Sequence, residues 1–75
     1  MTPEDELALT KLTMMGFELH HFKHGTGNWR LDGGDRDAIA AIDRAIHNSY
    51  GVYGSAPLHR LLREVERYYG IPVAQ

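Results

Sequence analysis

The chain has 75 residues, a formal net charge of −2, no cysteine, 43% hydrophobic and 24% charged residues, which is the size and composition of one small globular domain. Disulfides and thiolate metal sites are excluded, no apolar run approaches the ~20 residues that span a bilayer, and the basic excess of a nonspecific nucleic-acid binder is lacking. Acidic residues gather in the first part of the chain and arginines in the last, and Glu4, Asp5 and Glu6 stand where a secretory signal would carry Lys or Arg. A cytoplasmic setting is therefore expected.

In chain order, Thr2-Pro3-Glu4-Asp5 predicts a helix over 3–15, with Thr2 as N-cap and proline at the first helical position. Ala8, Leu12 and Met15 form its stripe, widened by Leu7 and Leu9, and the Met14-Met15 pair reads as flexible core filler. Gly16 then stands where a left-handed residue ends a helix, with Phe17 as the apolar contact that follows it.

Residues 17–32 read as a β-hairpin around His24-Gly25-Thr26-Gly27. Trp29 and Leu31 alternate with polar neighbours in the second strand, and Phe17 and Leu19 do so in the first. The alternation breaks at Phe22. A bulge near His20-His21 would return Phe22 to the core side, and without one it is exposed on the outer face.

Gly33-Gly34-Asp35 turns the chain and caps a helix over 36–48, whose clean apolar face is Ala38, Ile39, Ile42, Ala45 and Ile46. This helix is expected to cover the hairpin, burying Trp29 and Leu31, and to form the folding nucleus with it. Tyr50-Gly51-Val52-Tyr53-Gly54 is an aromatic connection. Ser55 then caps a last helix over 56–69, apolar at Leu58, Leu61, Leu62, Val65 and Tyr68 or Tyr69 and stopped by Gly70. Its outer face is expected to carry His59, Arg60, Arg63, Glu64, Glu66 and Arg67, in water unless a partner covers it. The expected architecture is a small α+β single domain of order α-β-β-α-α, a two-stranded antiparallel hairpin packed against helices.

Three histidines within five residues, His20, His21 and His24, are the side chains that would have to form a metal site. On a strand, His20 and His24 lie ~13 Å apart at ~3.3 Å per residue, so no metal or other cofactor is expected. The tip from Lys23 to Asn28 lacks the spacing of a phosphate loop. Acid-base chemistry would need His20 or His24 to meet Glu18, Asp32 or Asp35.

The run from Leu12 to Phe22, a helix ending in Gly-Phe-Glu-Leu and leading into a histidine-bearing strand, resembles the opening of HicA-type toxin mRNA interferases. Those are small α/β RNA-cleaving proteins with a double-stranded-RNA-binding-like fold, and the resemblance implies that His24 or His21 would act. In that family the catalytic histidine follows a Gly-Ser pair, which precedes none of the three histidines here.

Tyrosine and arginine carry interface energy, so Tyr50, Tyr53, Phe22, Arg60, Arg63 and Arg67 are the expected partner-binding residues. Asp32, Asp35, Asp37 and Asp43, along the hairpin exit and the exposed side of the second helix, add an acidic surface able to mimic nucleic acid. The function expected is a non-enzymatic protein-interaction module, of the kind of small inhibitor that phages and mobile elements encode, anti-CRISPR proteins among them. Its partner would be a larger nucleic-acid-processing protein or nucleoprotein complex. Self-association as a homodimer would help so small a core. The alternatives are the RNA-cleaving enzyme and direct nucleic-acid binding through the arginines of the last helix.

Overall fold

The computed structural model describes residues 1–22, 27–50 and 55–71, residues 49 and 50 by backbone alone. Three helices and a two-stranded antiparallel hairpin follow in the order α1 (Pro3–Met14), β1 (Glu18–His21), β2 (Trp29–Asp32), α2 (Arg36–Tyr50) and α3 (Leu58–Tyr69). This is the expected α+β architecture.

Local chemistry sets the ends of α1. The Asp5 amide donates to Oγ1 of Thr2 at 3.1 Å, giving the N-cap. At the other end Phe17 N–H donates to the Leu12 carbonyl at 3.1 Å and Gly16 N–H to the Thr13 carbonyl at 3.0 Å, with Gly16 at φ 96°. That pair of bonds is a Schellman ending, and it folds the Phe17 ring into the core beside Leu12. The end of α3 repeats the pattern, Ile71 N–H donating to Glu66 at 2.8 Å and Gly70 N–H to Arg67 at 3.2 Å.

The hairpin pairs Glu18 with Asp32, Leu19 with Leu31, His20 with Arg30 and His21 with Trp29. Phe22 N–H continues the ladder to the Asn28 carbonyl at 3.0 Å. The register is unbroken through His20-His21, so of the two alternatives the strand takes the one without a bulge. Phe22 stays on the face of His20, yet it is half-buried rather than exposed, because Ile39 of α2 stands across the same cleft. On its free edge β2 gains a further partner, Trp29 and Ala56 exchanging N–H···O bonds of 2.8 and 3.0 Å. Ser55 and Ala56 are consequently buried. Ser55 does not cap α3, since these residues are drawn into the sheet and the helix begins only after Pro57.

The cap of α3 arrives from the opposite end of the sequence. Oδ1 of Asp5 accepts from the His59 amide at 3.1 Å and lies 2.8 Å from Nδ1 of the same residue. At the far ends of the two helices, Ile71 faces Met14 and Met15, so α1 and α3 run parallel. The hydroxyl of Tyr69 reaches Asp35 and Glu64 faces Ala41 and Ala45, so α2 runs antiparallel to α3. Asp35 also caps α2, accepting from Asp37 N–H at 2.9 Å.

The core joins Leu12, Phe17, Leu31, Ala38, Ile42, Ile46, Leu61 and Val65. Its hub is α3, which packs on α1, α2 and β2, whereas the closest helical neighbour of α2 is α3 and not the hairpin. Leu31, Ile42 and Ile46 share this core with Trp29 and Ile39 packed against it, as expected, and α1 and α3 add Leu12, Leu61 and Val65 to it.

Two outcomes follow from this packing. A Cβ on Gly34 would lie 2.5 and 2.6 Å from two atoms of the Phe17 ring, so Gly34→Ala is expected to cost about 1–3 kcal/mol, read as a lower urea midpoint. The hydrogen bond from His59 holds the Asp5 carboxyl below its ordinary value of 3.8. The unfolded chain then takes up a proton that the folded one refuses, so the contribution of Asp5 is complete above about pH 4 and is lost as pH falls further. Thermal unfolding between pH 2 and 6 should show this acid slope flattened in Asp5→Asn, with about 0.5–2 kcal/mol lost near pH 6.

Candidate functional site

Two surfaces emerge from this framework. The first is a cleft of about 430 Å³ between the outer side of the hairpin and α2, lined among others by His20, Phe22, Arg30, Asp32, Ile39 and Asp43. Strand alternation puts Glu18, His20, Arg30 and Asp32 on one face. Nε2 of His20 lies 3.5 Å from Oδ2 of Asp32, and ligand atoms of Glu18, His20 and Asp32 all fall within 4.8 Å of one another. Of the acid-base groups named from the sequence these three converge, while Asp35 is committed to capping α2.

His21 points to the opposite face and lies against the indole of Trp29, ring centroids 3.7 Å apart. The histidine cluster is thus split by the pleat, and His24 and the Lys23-to-Thr26 tip lie outside the described residues.

Asp43 departs from the sequence expectation. It is half-buried, with Oδ2 3.8 Å from Nη2 of Arg30, while its buried Oδ1 has no hydrogen-bond partner among the described residues. Burial raises its carboxyl above the ordinary value and Arg30 pulls it partly back. Asp32 and Asp37 are exposed. Asp35 is exposed as well, so of the four aspartates Asp43 alone is partly withdrawn from solvent.

The arginines of α3 are also divided. Glu64, expected in water, is 4% exposed, because the small side chains of Ala41 and Ala45 leave room for it against α2. Arg60 lies 3.3 Å from one of its oxygens and Arg67 3.6 Å from the other, and the Arg60 side chain is largely covered. Arg63 is exposed. The side chain of Tyr50 and all of Tyr53 lie outside the described residues.

The second surface was missed in the sequence. Met14 is 82% exposed and Met15 39%, so the pair is not core filler. The helix stripe turns inward at Ala8 and Leu12, and the Schellman turn after Met15 gives the next core position to Phe17. Met14, Met15, Leu62 and Ile71 line an open groove of about 310 Å³ along the seam of α1 and α3, bordered by Lys11 and Glu66. Leu7, 56% exposed, lies farther along the same seam. The signal available in the sequence was two adjacent methionines, which cannot both face inward on one helix.

The raised carboxyl of Asp43 implies that its charge disfavours folding at neutral pH. Asp43→Asn is expected to raise the melting temperature at pH 7, with the gain disappearing at pH 3. A fall at pH 7 would mean that attraction to Arg30 outweighs burial.

No protein-family model matches the chain, and no curated protein or solved structure is significantly similar to it.

Proposed function

We propose that this chain is a protein-interaction module whose contact surface is the seam of α1 and α3. The observation that carries the reading is the row of Met14, Met15, Leu62 and Ile71 beside one another at the surface. Exposed apolar side chains scattered singly are ordinary, but a contiguous groove of them marks a docking surface. Methionine suits such a surface because it repacks against different shapes.

The rim of the groove favours a second copy of the chain as its occupant. Lys11 borders it from α1 and Glu66 from α3, so a two-fold related copy sets each lysine against the partner's glutamate over an apolar centre. Dimerisation also enlarges a core that is small in one copy. The larger partner expected from the sequence then meets the dimer at the hairpin cleft, which His20, Phe22, Arg30 and Asp32 help to line. The inhibitor reading rested on small size and the lack of a motif, and the proposal is confined to the interaction module. Among the described residues no helix is long and apolar enough to cross a membrane. A cytoplasmic setting is part of the proposal and accords with a sequence free of cysteine.

Sedimentation over a range of concentrations tests this reading. The wild type should pass from monomer to dimer, Met14→Glu should stay monomeric with an unchanged circular-dichroism spectrum, and Lys11→Glu should weaken the dimer. Adding Glu66→Lys to Lys11→Glu should restore it. A wild type monomeric at ~1 mM, or a dimer indifferent to Met14→Glu, would overturn the proposal.

A further inference from the structure

Glu18 and Asp32 occupy directly opposed positions across the hairpin. Like charges so placed destabilise a strand pair. Arg30 shares their face, but its guanidinium is drawn to Asp43 at 3.8 Å. The third member of the group, His20, is two positions along the ladder from Glu18-Asp32, on the same face, and meets Oδ2 of Asp32 at 3.5 Å.

The surrounding backbone shapes these groups for a shared ligand. Oδ1 of Asp32 accepts the Gly33 amide at 2.8 Å, which fixes the carboxylate and turns Oδ2 toward His20. Gly33 adopts φ 66°, and a Cβ there would collide with the Glu18 carboxylate. The absent side chain is the space in which Glu18 folds over the turn toward Asp32. Such outer hydrogen bonds orient ligands in metal sites.

We propose that Glu18, His20 and Asp32 bind one divalent transition-metal ion on the outer face of the hairpin. One imidazole nitrogen and two carboxylate oxygens, without sulfur, suit Zn²⁺ or Mn²⁺ rather than a soft ion. Their ligand atoms lie within 4.8 Å of one another, and ligands of a tetrahedral zinc stand roughly 3.3 Å apart, so closure takes small rotations of exposed side chains. Water fills the remaining positions. The ion neutralises the opposed carboxylates and fastens the open end of the hairpin beside the turn into α2. The site differs from the one suggested by His20, His21 and His24, because the pleat sends His21 to the other face and brings two carboxylates to His20.

Calorimetric titration of chelator-stripped protein with ZnCl₂ tests this. One ion should bind per chain with micromolar affinity, and His20→Ala and Asp32→Asn should each weaken it by about tenfold or more. His21→Ala and His24→Ala should leave it intact. In amide NMR spectra, Mn²⁺ should broaden residues 18–20 and 31–33 first. Absence of binding at ~1 mM Zn²⁺, binding that survives both His20→Ala and Asp32→Asn, or binding lost in His24→Ala but kept in Asp32→Asn would overturn the proposal. These variants leave the seam of α1 and α3 untouched, so the outcome is independent of whether the chain dimerises.

Discussion

The structure depends on the enclosure of α3. Leu58, Leu61 and Val65 are shut off from solvent, and each other layer is placed by what it offers to that stripe. Burying side chains of this size contributes about 1.5–3 kcal/mol each, more than any single ion pair at the surface of so small a domain. The helix earns no cap from its own sequence, since Pro57 brings no side-chain hydrogen bond. Asp5 supplies it from α1 and fixes the two helices in parallel. Apolar burial selects the neighbour, and one carboxylate selects its direction.

Around this hub the local rules were legible in the sequence. Thr2 before Pro3, Gly16 before Phe17, Asp35 before a helix and Gly70 before Ile71 each announce a boundary through one backbone requirement, and each appears in the structure within a residue or two. The buried face of the hairpin was legible too, because Leu19 and Leu31 each alternate with polar neighbours. These signals act over a few residues, so no knowledge of the rest of the chain is needed to read them.

What escaped was tertiary. Helical periodicity assigns a residue to a stripe but does not say how wide a stripe the neighbours cover. Met15 was counted inward and Glu64 outward, and the structure reverses both. The reason in each case is the partner: Phe17 takes the place beyond Leu12, and Ala41 and Ala45 open space for a carboxylate flanked by Arg60 and Arg67. The convergence of Glu18, His20 and Asp32 was likewise hidden, since it depends on cross-strand pairing rather than on spacing along the chain.

The parallel pairing of α1 with α3 also bears on how the chain comes to be folded. Asp5 and His59 are 54 positions apart, so the contact that aligns the first helix with the last closes a loop containing nearly every other element. Closing a loop of that length is entropically costly and is repaid only when α3 is already present. In chain order α1 is made before α3, so the inward side of α1 at Ala8 and Leu12 has no α3 against it until residues beyond 59 are present.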